Sequence, residues 1–258
     1  SMTWKTFPYP DQAYSYAGAA LQENWGRLHR GDCEPFPDDP KVQDAWRSYH
    51  AGDFGKAVEA GLACGLSGYN AANKAATIYA SYLETDDDRK RHLLMEVAQR
   101  CEEQQQKSPK VVNAWYLHAF ALGRYSQSIS VVKALAQGLG GKIKHSLTRA
   151  LELEPRHADA HIALGAYHAE VIDKVGALVG GITYGVKKDA GKALLEAALK
   201  LNPDSAITRI EYANALVMMF GKAGMKDAER LYQEAAECRP MDAMERLDVE
   251  AAKAEVAD

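Results

Sequence analysis

Three prolines constrain this chain more than anything else in it. They close segments of one kind: Ala150-Leu-Glu-Leu-Glu-Pro155, Ala198-Leu-Lys-Leu-Asn-Pro203 and Ala235-Ala-Glu-Cys-Arg-Pro240. Alanine stands five residues before each proline, and a larger apolar residue (Leu147, Leu195, Tyr232) stands eight before. Ile143, Gly191 and Ala228 stand twelve before. Such spacings lie on one face of a helix, and proline ends that helix because its ring fixes φ and leaves no N–H to donate. Past the first two prolines, His161-Ile-Ala-Leu-Gly165 and Arg209-Ile-Glu-Tyr-Ala213 share a register, and Trp115-Tyr-Leu-His-Ala119 is an earlier copy. Each ends in a small residue, which lets two helix backbones approach closely.

Paired helices with small residues at matched places and a proline between pairs are the marks of a tetratricopeptide repeat. The strongest local match is Tyr49-His-Ala-Gly-Asp-Phe-Gly-Lys-Ala57, where Gly52-Asp53-Phe54 supplies the turn and Ala57 the small contact. Residues 70–107 read as a more degenerate pair joined through Asp86-Asp87-Asp88. The expected fold is all-α: a tetratricopeptide-like α-α superhelix of about five helix pairs, over residues 41–258. Residues 1–40, with Phe7-Pro8-Tyr9-Pro10 and Pro35-Phe36-Pro37, read as an arm with one short helix.

A tetratricopeptide unit runs about 34 residues. Pro203 to Pro240 is 37, while Pro155 to Pro203 is 48. The surplus falls on "VGALVGGITYGV", residues 175–186, which carries no charge in a chain that is 26% charged. The preceding unit holds a comparable surplus in "RYSQSISVVKALAQGLGG", and the two insertions echo each other: Lys133–Gly141 against Lys174–Gly181. Both fall between the first and second helix of adjacent units, so stacking should set them side by side. Twelve apolar residues are too few to cross a bilayer, which takes about 20. Left bare, they would make an unusually large apolar patch. The insertions 128–141 and 171–186 are therefore expected to pack on the solenoid and to offer Leu135, Leu139, Leu178, Val179, Ile182 and Tyr184 to another copy.

From Asn113 to the C-terminus the chain resembles the tetratricopeptide domain of the regulator of microtubule dynamics family. The likeness is carried by Ala114-Trp115-Tyr116, a turn at Tyr125-Ser126 followed by an insertion, and the helix Lys144–Glu154. It continues through "ADAHIALGAYHAEV" (158–171), the second insertion and "GMKDAERLYQEAAE" (224–237). The resemblance implies an all-helical interaction module without enzymatic activity. Components that accompany bacterial transporters are a more distant likeness.

Motifs of catalysis or cofactor binding are incomplete or missing. Gly138-Leu-Gly-Gly-Lys142 departs from the phosphate loop GxxxxGK[ST], with Ala136 at the first glycine's place and Ile143 after the lysine. His157 lies four residues before His161, and His161 and His168 fall on the repeat's packing register, so they read as core histidines rather than metal ligands. No HExxH, GxSxG or catalytic cysteine signature is present, so neither catalytic residues, metal nor cofactor are expected. Cys33, Cys64, Cys101 and Cys238 form no CxxC pair and read as reduced thiols. A net charge of -4 gives no pull toward nucleic acid. Ser1 before Met2 reads as a tag remnant, and no secretory signal follows. A cytoplasmic protein is expected.

The first helix of each unit lines the inner side of such a stack. Carrying the register outward places Asn113, Tyr116, Phe120 and Arg124 there, then Ile162, Ala166 and Glu170, then Ile210, Asn214 and Met218. The set is mainly apolar, with Arg124 its one cation. That argues against a clamp for an acidic C-terminus and for an apolar protein or peptide segment. The expected function is a protein- or peptide-binding adaptor. The rival reading is a homo-oligomeric structural or transporter-associated component joined through the insertions.

Overall fold

The computed structural model describes residues 3–258, so Ser1 and Met2 lie outside it. Among the described residues there is no β-strand. A 3-10 turn at Gln12–Tyr14 and a short helix α1 (Ala20–Leu28) make up the arm. Five helical hairpins follow. They are α2 (Pro40–Ala51) with α3 (Phe54–Ala63), α4 (Tyr69–Tyr82) with α5 (Asp87–Lys107), and α6 (Val112–Ile129) with α8 (Leu139–Leu153) across an inserted turn of helix, α7 (Val131–Ala136). The last two are α9 (Ala158–Val179) with α10 (Lys188–Leu201) and α11 (Ala206–Phe220) with α12 (Met225–Ala236), before the terminal helix α13 (Ala243–Ala257). The repeat period and the five pairs are as the sequence indicates.

Local chemistry sets the boundaries. Pro40 opens α2 at a position where its missing N–H costs nothing, and Asp39 accepts from the Lys41 N–H at 2.9 Å. Gly52 ends α2 with φ +92, a left-handed turn that side chains resist. Asp86, Ser205 and Asp242 cap α5, α11 and α13 in the same way as Asp39. The small residues do the work expected of them. A Cβ added at Gly165 would sit 2.7 Å from the Leu195 side chain and 3.1 Å from the Gly191 carbonyl, so α9 and α10 lie nearly backbone to backbone. Ala150, Ala198 and Ala235, the alanines of the three proline segments, are fully buried.

One predicted turn is absent. The chain does not turn at Tyr125-Ser126; α6 continues to Ile129, because the Ser126 hydroxyl returns to the Leu122 carbonyl without breaking the helix. The reversal comes at Ser130, with φ +112, whose hydroxyl accepts from the Lys133 N–H and starts α7.

The insertions lie beside each other, as their echo suggests. The second prolongs α9, breaks helical geometry at Gly176 and ends in a wide turn over Gly180–Tyr184. Lys144 Nζ on α8, just past the first insertion, donates to the carbonyls of Tyr184 and Gly185 at 3.1 and 3.3 Å and ties that helix to the second insertion. Ala134, Leu139 and Val186 are buried, so each insertion is pinned to the stack by its own apolar residues.

Closure distinguishes this molecule from an open solenoid. The terminal helix reaches back to the first elements of the chain. Tyr16 donates to the Met241 carbonyl at 2.5 Å, and Arg27 Nη2 meets Glu245 at 2.8 Å. His50 meets Asp242 at 2.7 Å, Arg30 meets Asp204 at 2.9 Å, and Tyr82 on α4 donates to Asp248. One apolar cluster consequently runs from Phe7 to Leu247. No helix among the described residues is long and apolar enough to cross a membrane.

Candidate functional site

Closure turns the inner wall into a chamber. A cavity of about 150 Å³ lies on the axis of the stack, bounded by the first helices α4, α6, α9 and α11, by α7, by the start of α8, and by α1 and α13. A cavity of roughly that volume holds a molecule the size of benzene. The inner wall expected to take an apolar segment is partly covered by the arm and the terminal helix, which line the cavity.

The expected groove residues divide. Tyr116, Phe120, Arg124, Ile162, Ala166 and Glu170 all face the chamber. Asn113 is buried behind it: its amide donates to the Asp32 carbonyl at 3.0 Å, and its Oδ1 lies 2.8 Å from His157 Nε2. Ile210 borders a shallower outer recess that shares Tyr82, Arg124, Gln127, Ile207 and Glu211 with the chamber. Asn214 accepts from the Tyr232 hydroxyl on α12, and Met218 packs against the core edge; neither lines the chamber. The turn of α11 relative to α6 and α9 therefore carries its later positions away from the axis.

Sequence reasoning missed most of the chamber's charge. Three cations line it, Arg27, Lys74 and Arg124, against six carboxylates. Each cation has a partner: Lys74 Nζ to Asp32 Oδ2 at 2.6 Å, Arg27 to Glu245 at 2.8 Å, and Arg124 Nη2 to Glu211 at 3.8 Å. Three carboxylates remain without one. Glu170 accepts from Gln127 at 2.5 Å, Asp248 accepts from Tyr82, and the Asp159 carboxylate makes no hydrogen bond among the described residues. Burial pushes Asp159 up to about 6, Glu170 to about 7 and Asp248 to about 8. Burial alone would also raise Asp32, but Lys74 and His29 hold it well below the ordinary carboxylate range. The Tyr116 hydroxyl finds no partner among the described residues, although the residue is only 6% exposed. The Arg124 guanidinium lies 5.4 Å from the Phe120 ring, with its buried Nε unpaired.

The histidines hold the frame. His157 caps α9, its Nδ1 accepting from the Ala160 N–H at 2.9 Å. His161 lies 2.8 Å from the His157 carbonyl, and His168 accepts from the Lys187 N–H at 2.9 Å. Burial lowers His157 to about 4, so its ring stays neutral. Among the described residues no group of three or more His, Cys, Asp or Glu is placed to hold a metal ion.

The insertion residues also divide. Leu135 turns inward to the chamber and Leu139 is buried, while Tyr184 is half-buried under Lys144. Leu178, Val179 and Ile182 are 75, 47 and 79% exposed.

No family profile matches the chain, and no curated protein matches it. Among solved structures it is similar to a thermophilic tetratricopeptide-repeat protein of Thermus thermophilus, with a TM-score of 0.58 and 16% identity over 83% of this chain and 97% of that one. At that identity the likeness speaks for the fold alone. The chain is an all-α tetratricopeptide-like superhelix.

Proposed function

We propose that this protein is a binding module without enzymatic activity, which takes a short piece of a protein partner into its axial chamber. The observation that carries this reading is the partly open, mostly apolar chamber at the centre of the repeat stack, which meets the outer recess at Arg124, Gln127 and Glu211. Tetratricopeptide-like stacks expose such inner walls for recognition. The lining offers carboxylates and aromatic rings without a histidine or thiol beside them, an arrangement suited to holding charge rather than transferring a proton or acyl group. At about 150 Å³ the chamber admits a side chain, not a helix some 10 Å across.

The test is a peptide array probed with the full chain. A defined subset of sequences should be retained, and Phe120→Ala and Ile162→Ala should each lose it while both variants stay folded at the assay temperature, Ile162→Ala at a melting point lowered by its buried cavity. Retention that ignores both substitutions would remove the chamber from the function. The finer likeness to the regulator of microtubule dynamics family rests on the paired insertions, the second of which Lys144 ties to α8, and the free cysteines fit a cytoplasmic setting.

A second reading is favoured by the ridge of Leu178, Val179 and Ile182, where Leu178 and Ile182 are the most exposed large apolar residues among those described. Such a ridge suits self-association or a transporter-associated assembly. Light scattering of the purified chain decides it: a stable oligomer that dissociates on Ile182→Asp supports this reading, and a monomer at high concentration ends it.

A further inference from the structure

The chamber's charge selects its guest. Three of its carboxylates, Asp159, Glu170 and Asp248, form no ion pair, while every cation lining it is already paired with another carboxylate. Aromatic faces flank the same space, from Tyr116, Phe120 and Tyr82. The Tyr116 hydroxyl, on a side chain more than nine-tenths buried, faces that space with no partner among the described residues. A buried carboxylate without a counter-charge is costly, and an arriving cation relieves that cost. A ring face also attracts a cation. An anion entering the same space would meet a surplus of negative charge.

We infer that the chamber receives a basic side chain, the ammonium or guanidinium group of a lysine or arginine on the partner polypeptide, with its hydrocarbon stem lying against Phe120, Ile162 and Ile207. The inference rests on the binding function proposed above and names the chemistry of its ligand. The geometry fits a side chain entering from a chain that stays outside. Mouth residues Tyr82, Arg124, Gln127, Ile207 and Glu211 are shared with the outer recess, which Ser81, Ser128, Ile210, Ala251 and one cation, Lys90, also line. Burial raises the proton affinities of Asp159 and Glu170, more than the nearby Lys74 and Arg124 lower them, and a bound cation would draw both back toward ionisation.

Calorimetric titration of the full chain tests this with four probes: the blocked peptide Gly-Gly-Lys-Gly-Gly, its norleucine and glutamate counterparts, and free 1,5-diaminopentane. The lysine peptide should bind one to one and release protons as the carboxylates ionise, so that its heat depends on the buffer's ionisation enthalpy. The norleucine peptide should bind at least about tenfold more weakly, and the glutamate peptide not at all. Asp159→Asn and Glu170→Gln preserve shape and should each weaken the lysine peptide about tenfold or more. Tyr116→Phe keeps the wall intact and should weaken it less. Equal affinity for the lysine and norleucine peptides, or preference for glutamate, overturns the inference while leaving a peptide-binding chamber standing. Binding of the diamine but not of the lysine peptide keeps the charge selection and removes the polypeptide partner. Absence of binding by all four refutes the inference, and the peptide array then decides separately whether the chamber takes some other sequence.

Discussion

The imidazoles of His29 and His50 meet Nε2 to Nε2 at 3.0 Å. On its far side His29 Nδ1 lies 2.9 Å from Asp32, and His50 Nδ1 lies 2.7 Å from Asp242. The three contacts form one buried row from Asp32 to Asp242. That row, extended by Lys74 beyond Asp32, ties α4 and the arm to the terminal helix. Asp242 also caps α13, accepting from the Glu245 N–H at 2.9 Å.

Asp242→Ala should accordingly cost about 2–4 kcal/mol, from a lost helix cap and a buried imidazole left without its partner. Urea denaturation measures the loss. Limited proteolysis should show new cleavage between 237 and 243 as α13 detaches. A variant as stable as the parent and equally resistant to protease would mean that the row does not hold the closure.

Lys74 and Asp32 form an ion pair with both side chains under 5% exposed. Lys74→Met leaves a bare carboxylate in the interior and should destabilise by about 3–5 kcal/mol. Lys74→Met combined with Asp32→Asn removes both charges and should recover part of that loss. If the double variant is the sum of the two singles in denaturation, the residues do not act as a pair.

Stability should fall between pH 6.5 and 8.5. Burial holds His29 and His157 at about 4, so on acidification from about 6.5 the unfolded chain takes up protons that the native state refuses. That loss lies on the acid side and is over by neutrality. Burial raises Glu34 and Asp248 to about 8 and Glu170 to about 7. The unfolded chain has already released those protons, so the native state binds more of them and loses stability as pH climbs through 7 and 8. The melting temperature should drop by about 5 °C over this interval, taking roughly 2–4 °C per kcal/mol for a chain of this size. Glu34→Gln should flatten the slope. A melting temperature that rises with pH across this range contradicts the assignment.

Close helix approach at Gly165 gives a packing test. Alanine there must displace Leu195 and press on the Gly191 carbonyl, and should cost about 1–3 kcal/mol. At Gly123, where nothing lies within 4 Å of an added Cβ, alanine should instead be neutral or slightly stabilising. Paired thermal melts of the two variants check both signs.

How much of this was legible in the sequence follows from range. The hairpins could be read because their signals are local: an alanine five residues before a proline, a glycine at a left-handed turn, a small residue where two helices cross. Tyr116, Phe120, Arg124, Ile162 and Glu170 could be placed on the inner wall because they hold fixed positions on their own helices. Asn214 and Met218 could not, since the register says nothing of how far α11 rotates. The remaining charge in the chamber comes from Asp159 and Glu211 on inner helices, Lys74 on α4, Arg27 and Asp32 of the arm, and Glu245 and Asp248, which arrive only because α13 returns to α1 and α4. One hint was present: an acidic residue at a buried register position of the last helix, Asp248, which the reading of a mainly apolar wall with Arg124 and Glu170 as its charges did not include.

An open repeat array unravels from its ends, since each outer unit leans on a single neighbour. Here the terminal helix leans on the arm and on α4, so neither extremity is free to fray. Every hairpin becomes an interior one. The molecule should then denature as a single cooperative unit, and its refolding should be slow for an all-helical protein, because contacts such as Tyr16 with Met241 must close a loop spanning most of the chain.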